Sequence, residues 1–239
     1  MHEGLAQFLR WHQREQLPAY ADLLQRLRPL MADAIPPEQA CTLLEQVRGT
    51  LETSLDPAHW PLVWLATDLS EEQLRHIERK QASSDAEWKK EWITGVDREQ
   101  LMKLRFEQVL SRSEMLYGRL GETQKAVIRA ELANSVFEPQ RNFAERQRRQ
   151  QDLIQVLRKI RGEKLGVEAA RVQLKGLMAR SLHPPDPAYQ RYSQALIREG
   201  CQTFARLHQA TTGAQREKAA QTLKSYEDDF RLLAGQAKP

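Results

Sequence analysis

The segment Leu69-Ser-Glu-Glu-Gln73 predicts the start of a helix, and its pattern recurs along the chain. An apolar residue is followed by a residue that can cap a helix, by two further residues and by Gln. A Ser, Thr or Asp side chain accepts a hydrogen bond from a free N–H group of the first helical turn, and a Gln three residues later can accept one from the N–H of the capping residue. The segment therefore predicts a helix capped by Ser70 and Gln73.

Looser copies of the pattern predict several further helix starts. The copies are Ile35-Pro-Pro-Glu-Gln39, Val96-Asp-Arg-Glu-Gln100, Leu120-Gly-Glu-Thr-Gln124 and Thr211-Thr-Gly-Ala-Gln215. The capping residues and Gln partners that fit best are Ser70 with Gln73, Asp97 with Gln100, and Thr212 with Gln215. These segments mark helix ends and carry no reactive chemistry of their own.

The rest of the 239-residue chain favours an all-α fold. It contains only 11 Gly, and no alternation of apolar and polar residues runs for long. Short connections predict antiparallel hairpins, so we expect a multi-helix bundle of antiparallel helical hairpins with long, Pro-kinked helices. We expect a single domain over residues 1–239, with a subdivision near residues 183–187, where three Pro interrupt any helix.

Isolated Pro residues predict where individual helices bend or begin. Pro18 lies within an apolar helical pattern, so it predicts a kink or a split at that point. Pro139 predicts a kink or a break in what would otherwise be the longest helix, over residues 121–160. Asp56, which is followed by Pro, predicts the start of a short helix.

Basic residues concentrate between Arg141 and Arg180, although the net charge of the chain is only +4. This stretch fits a basic face for an acidic partner or an ordinary solvated helix surface, and we favour the solvated surface. Nucleic-acid binding is disfavoured, because Phe143 is the only aromatic residue between Arg141 and Arg149. The candidate partner-binding residues in this stretch are Arg141, Arg146, Arg148 and Arg149.

Two tryptophans complete the candidate partner-binding surface. Trp88 and Trp92 are four residues apart, so they share one face of a helix. Such a face is by default part of a core. The residues between them, Lys89, Lys90 and Glu91, are all charged, however, and make the stripe narrow enough to fit a docking edge.

The two cysteines, Cys41 and Cys201, leave two interpretations open. They fit two buried thiols or one disulfide, because pairing requires α-carbons within about 7 Å of each other. The sequence contains no transmembrane run and no signal-peptide pattern. It therefore indicates either a cytosolic protein or a chain whose targeting segment is missing.

Catalytic and metal-binding motifs are absent from the sequence. The six His are scattered, and none has the spacing of a zinc-protease or di-iron site. Phosphate-binding glycine loops and nucleophile motifs are absent as well. We therefore predict a non-enzymatic protein without catalytic, cofactor-binding or metal-binding residues.

The Leu-Ser/Thr-x-x-Gln segments resemble the LTxxQ motif of the Spy/CpxP group, small all-helical periplasmic proteins that form a curved cradle. Spy holds partly unfolded proteins without ATP. The segment from Leu69 to Gln73 matches the motif best, whereas Asp97 and Gly121 replace the capping Ser or Thr in two of the copies.

A closer resemblance is to an uncharacterised family of proteobacterial envelope lipoproteins that are all-helical and of similar length. Its carrying segments are Trp11-His-Gln-Arg-Glu-Gln-Leu-Pro-Ala-Tyr20, Leu69–Gln73 and Leu207-His-Gln-Ala-Thr-Thr-Gly-Ala-Gln-Arg216. Members usually carry a signal peptide and a lipid-bearing Cys, which this chain does not show. The resemblance implies a periplasmic or outer-membrane-associated protein that meets the membrane only through a lipid anchor absent from this chain. A cytoplasmic location is the alternative.

We therefore expect a non-enzymatic envelope protein that binds other proteins, as clients or as an envelope partner, in a chaperone-like manner. The alternative is a binder of nucleic acid or of an anionic membrane surface through the basic stretch 141–180. No cofactor is expected, and the sequence does not predict an oligomeric state.

Overall fold

The computed structural model describes residues 2–54 and 62–236, and over these residues the chain is all-α, as predicted. The helices are α1 His2–Trp11, α2 Leu17–Leu27, α3 Pro37–Ser54, α4 Leu62–Asp68, α5 Glu71–Trp92, α6 Arg98–Tyr117, α7 Glu122–Ala133, α8 Pro139–Gly162, α9 Val167–Leu182, α10 Pro187–Gln209 and α11 Gly213–Gly235. No helix in the described part of the chain is both long enough and apolar enough to span a membrane.

Proline residues lie in the first turns of two helices, α2 and α8. A π-helical turn, His12–Gln16, separates α1 from α2, and Pro18 lies in the first turn of α2, where its missing N–H costs least. Pro139 is the first residue of α8, which makes the predicted interruption a full break after α7. The predicted helix start at Asp56 lies outside the described residues.

Two glycines end helices in a backbone conformation that other residues rarely adopt. Gly95 follows α5 and Gly118 follows α6, and both have a φ of 73°. This left-handed conformation suits glycine because it has no Cβ to clash with the backbone.

Contacts within the chain divide it into two compact units. Unit 1 comprises residues 1–9, 55–96 and 138–192, and unit 2 comprises residues 10–54, 97–137 and 193–239. The Pro-rich segment 183–187 lies inside unit 1. The prediction that the two units form a single domain remains a prediction.

Unit 1 is built on an apolar cluster between α4, α5, α8 and α9. Each helix contributes its inward stripe, as expected for amphipathic helices. The fully buried members of the cluster are Val63, Leu74, Ile160 and Ala170.

Unit 2 has its own apolar core. Its buried cluster draws residues from α3, α6, α7, α10 and α11 and from the segments between α2 and α3 and between α6 and α7. The most buried members are Tyr117, Leu120, Ile128, Leu132, Leu207 and Ala219. The α2 helix packs along α11 in the same unit.

Candidate functional site

The four candidate arginines lie on α8 in unit 1, and the structure pairs each of them with a carboxylate. Arg141 Nε lies 2.8 Å from Glu138, and Arg146 Nε lies 2.7 Å from Asp85 of α5. These pairs offset much of the positive charge that the sequence places on this stretch.

Arg148 and Arg149 share one buried carboxylate. Glu145 lies one turn before them, and its side chain is only 3% exposed. Its oxygens lie 2.8 Å from Arg148 Nε and 3.1 Å from Arg149 Nε. A buried carboxylate needs such partners because an unpaired charge is costly to remove from water. Both guanidinium groups therefore form ion pairs within the chain.

The candidate tryptophans take part in an aromatic stack within unit 1. The ring centroids of Trp88 and Trp92 are 6.1 Å apart, and the centroid of Trp88 is 5.5 Å from that of Phe143 on α8. Trp92 is only 7% exposed, while Trp88 is half-buried. The structure thus places Trp92 in the core, which is the default interpretation of this stripe. Binding of a partner by these tryptophans and arginines remains a prediction.

The predicted capping residues lie at helix starts. Ser70 Oγ accepts a hydrogen bond from the Gln73 N–H, and Gln73 Oε1 accepts one from the Ser70 N–H. Thr212 and Gln215 form the same reciprocal pair at the start of α11. Asp97 accepts a hydrogen bond from the Gln100 N–H at the start of α6.

In unit 2, the Gln side chains of two helix caps also donate a hydrogen bond to the segment that precedes the other cap. Gln124 Oε1 accepts from the Gly121 N–H, while its Nε2 donates to the Ala210 carbonyl over 2.7 Å. Gln215 Nε2 donates in turn to the Arg119 carbonyl over 3.0 Å. Each carbonyl lies two residues before the other helix's N-cap. We call this reciprocal arrangement the Gln clasp. It joins the start of α7 to the start of α11.

A buried histidine adjoins the Gln clasp. His208 is fully buried, and Tyr117 is only 2% exposed. His208 Nε2 lies 2.8 Å from the Asp33 carbonyl, and Nδ1 lies 2.8 Å from the Tyr117 hydroxyl. Because a carbonyl only accepts, Nε2 carries the proton and Nδ1 accepts from the hydroxyl. His208 therefore connects the segment after α2 with the ends of α6 and α10.

Burial controls the protonation of this pair. It lowers the pKa of His208, and the nearby Arg216 lowers it further, against an opposing contribution from the hydrogen bond to the Asp33 carbonyl. Burial also raises the pKa of Tyr117 well above its ordinary value. Both groups are therefore neutral near pH 7. Both ring nitrogens of His208 are hydrogen-bonded, so the His208–Tyr117 pair connects helices within unit 2.

The two cysteines form a disulfide in unit 2. Cys41 of α3 is bonded to Cys201 of α10, with their α-carbons 5.3 Å apart. The sequence leaves two interpretations open, and the structure agrees with the disulfide. Among the described side chains of α3, only Ala40, beside this bond, is buried.

Next to the disulfide lies an apolar cavity of about 380 Å³. Helix α3 forms one wall of this cavity through Ala40, Leu43, Leu44 and Val47. The other lining residues come from α2, the turn after it, α6, α10 and α11, and are Leu27, Met31, Leu116, Gly200, Cys201, Phe204 and Leu223. We call this volume the α3 cavity. Its size and apolar lining are those of small-ligand sites, which typically measure about 300–1,000 Å³.

Among the described residues, no group of three or more His, Cys, Asp and Glu side chains is placed to hold a metal ion. The most distinctive features of unit 2 were not predicted as a site. The α3 cavity and the buried His208 are formed by residues far apart in sequence. The one local signal for the cavity is Gly200, an isolated glycine inside a helical pattern.

Comparisons with known proteins identify a family without a known activity. No curated protein matches the chain significantly, and neither does any solved structure. The profile of one family, described as a family of unknown function, matches residues 1–184. This match covers most of the chain, so the protein belongs to that family, DUF6279.

Proposed function

We propose that this protein is a non-enzymatic binding protein of the cell envelope that holds an apolar ligand in the α3 cavity. The cavity itself carries the proposal: apart from Gly200, which has no side chain, every lining residue presents an apolar or disulfide-bonded side chain. Water finds few hydrogen-bond partners on such a surface, whereas the transfer of an apolar group from water to it is favourable.

The packing of α3 supports the entry of a ligand into this cavity. Beyond Ala40 its described side chains are half-buried or exposed, so little apolar burial holds the later turns in place. Segments with few buried contacts open at low free-energy cost. The disulfide at Cys41 keeps the first turns of α3 attached to α10 when the later turns move.

The disulfide also supports an envelope location. Disulfides persist in oxidising compartments such as the bacterial periplasm and are rare in the cytosol. This agrees with the location implied by the resemblance to periplasmic and envelope proteins. A disulfide-linked chain in an oxidising compartment is therefore part of the proposal.

Chaperone-like binding of other proteins is a second candidate function. Leu44 is 38% exposed although it lines the α3 cavity, and Leu51, two turns later, is 48% exposed. An exposed apolar face that continues into a cavity fits an unfolded segment of another protein. Suppression of client aggregation without ATP tests this function, and no protection at several-fold molar excess would refute it.

Binding to nucleic acid or to an anionic membrane surface has less support. The four arginines of α8 named above are all ion-paired with carboxylates. Contacts to phosphate release counterions, so such binding would fall steeply with salt. Tight, salt-sensitive binding to DNA or to anionic vesicles would favour this alternative.

The experiment for the proposed function uses a neutral apolar dye, N-phenyl-1-naphthylamine, whose fluorescence rises in an apolar environment. Gly200 is exposed and lines the α3 cavity, and a Cβ atom at this position would have no neighbour within 4 Å. We expect saturable binding to the disulfide-bonded protein, and binding at least severalfold weaker to Gly200→Leu, whose side chain narrows the opening. Gly200→Ala is the matched control and should bind like the original chain. No saturable binding, or equal binding by all three proteins, would contradict the proposal.

A further inference from the structure

Unit 2 contains a second cavity that adjoins the α3 cavity. It measures about 300 Å³ and lies between α6, α7 and α10. Leu116, Gly200 and Phe204 line both cavities, so the two volumes lie on either side of the same three residues. A Cβ atom at Gly200 would have no neighbour within 4 Å, so no side chain separates the two volumes at this residue.

The two cavities differ in polarity. The α3 cavity presents apolar side chains and the disulfide. The second cavity combines an apolar wall with polar residues: Arg105, Arg112, Ser113, Glu199 and Thr203. The lining of the two volumes changes from apolar at one end to partly polar at the other, which matches the polarity of an amphiphilic molecule.

The charges at the polar end leave an excess of positive charge. Glu199 is already satisfied, because it accepts hydrogen bonds from Ser135 Oγ at 2.7 Å and from the Val136 N–H at 2.8 Å and pairs with Arg105 at 3.4 Å. Arg112 is exposed and has no ion pair within the described part of the chain. Its guanidinium group is therefore available to an anion.

From these observations we infer that the ligand is a fatty acid, a single acyl chain that ends in a carboxylate. The inference rests on the proposed function of the α3 cavity and adds the chemical class of its ligand. The chain lies in the α3 cavity, and the carboxylate is bound by Arg112. Arg112 precedes the shared Leu116 by about one helical turn, about 6 Å along α6. An Arg–carboxylate pair adds orientation as well as affinity.

The fatty-acid ligand gives two signatures that a neutral apolar ligand would not give together. Affinity depends on chain length, because each methylene moved out of water strengthens binding about fourfold. Affinity also depends on the head group, because the carboxylate pairs with Arg112. A neutral alcohol of the same chain length has the first property and lacks the second.

The test is displacement of N-phenyl-1-naphthylamine by laurate, by decanoate and by dodecanol. We expect laurate to bind more tightly than dodecanol, and more tightly than decanoate by about 15-fold. Arg112→Gln should weaken laurate about tenfold, as for loss of a hydrogen bond to a charged group, and leave dodecanol unchanged. Arg112→Lys, which keeps the charge, should retain most of the affinity. Arg26→Gln is the matched control, because Arg26 is exposed on α2 in the same unit and does not line either cavity.

The outcomes separate this inference from the proposed function. Equal affinities for laurate and dodecanol, with no effect of Arg112→Gln, would overturn the fatty-acid assignment and leave an apolar binding site. Displacement of the dye by an apolar peptide and not by laurate would also overturn it, in favour of a protein segment. Failure of the dye itself to bind would refute the proposed function as well.

Discussion

Units 1 and 2 are both all-α and both have ion pairs between helices, such as Arg206–Glu131 in unit 2, but unit 2 adds covalent and buried polar connections. In unit 1, α5 and α8 are joined across an apolar cluster by ion pairs such as Arg146–Asp85, Arg158–Glu78 and Arg161–Glu71. Unit 2 has a disulfide, the Gln clasp and a buried histidine, and its helices line the α3 cavity. The disulfide and the buried polar contacts therefore lie in the unit that contains the apolar cavity. If unit 2 binds a ligand as proposed, these connections would offset the stability that an unfilled apolar cavity costs.

Removal of the disulfide should have the largest effect on this comparison. The double variant Cys41→Ala/Cys201→Ala is expected to lose about 2–5 kcal/mol of unfolding free energy, because the unfolded chain is no longer constrained. The loss should appear in unit 2, which contains both residues. Denaturant-dependent hydrogen exchange, read peptide by peptide, measures this, and the original chain with and without reductant is the control. An equal loss of protection in both units would contradict the difference between them.

The Gln clasp should have the next largest effect, and unit 1 supplies a matched control. Gln124 is buried, so Gln124→Ala leaves the Gly121 N–H and the Ala210 carbonyl without their partner and should cost about 1–3 kcal/mol. Gln73 forms a similar cap at an exposed site, where water replaces it, so Gln73→Ala should change stability by about 0.5 kcal/mol or less. Chemical denaturation measures both. Equal costs would show that the contact across unit 2 contributes nothing beyond capping.

Acid should weaken unit 2 through His208, with a smaller effect than loss of the clasp. Burial lowers the pKa of His208 in the folded protein, so the unfolded chain binds the proton more readily. The stabilising contribution is therefore complete above the unfolded pKa of about 6.5 and is lost as the pH falls below it, toward the lowered folded pKa. His12, whose pKa burial also lowers, contributes with the same sign.

Denaturation of His208→Gln between about pH 7.5 and about pH 5.5 tests this assignment. The variant should be less stable than the original chain, and its stability should fall less over this range. His76→Gln is the control, because His76 is exposed on α5 in unit 1. An undiminished pH dependence in His208→Gln would exclude His208 as its source.

The ion pairs of unit 1 should have the smallest individual effects. Arg158 and Glu78 are 2.9 Å apart, and the Arg158 side chain is half-exposed. A double-mutant cycle with Arg158→Ala and Glu78→Ala is therefore expected to give a coupling of about 0.2–1 kcal/mol that decreases at high salt. A larger, salt-independent coupling would show that unit 1 depends on individual charges as strongly as unit 2 depends on its clasp.

The helix starts could be predicted because their causes are local. Ser70 and Gln73 are three residues apart, and the capping geometry follows from that spacing. The breaks at Pro139 and at Pro187 are also local, since a missing N–H limits a helix wherever it occurs. All-α class and helix boundaries therefore follow from short stretches of sequence.

The contents of unit 2 could not be predicted in this way. Gln124 and Ala210 are separated by 86 residues, and Cys41 and Cys201 by 160. The second role of the clasp glutamines, as donors to another segment, depends on which helix ends meet. The sequence left the basic stretch of α8 open between a basic face for a partner and a solvated helix surface, which it favoured. The pairing of Arg146 with Asp85 could not be predicted, because Asp85 lies on another helix. The candidate binding site therefore emerged from the tertiary structure.

The most direct test of a binding site in unit 2 is hydrogen exchange with and without laurate. We predict that laurate slows exchange in α3 and in α10 around Gly200 and leaves the α5 and α8 peptides around Trp88 and Arg146 unchanged. Protection confined to those unit 1 peptides, or no protection at a saturating concentration, would contradict this account.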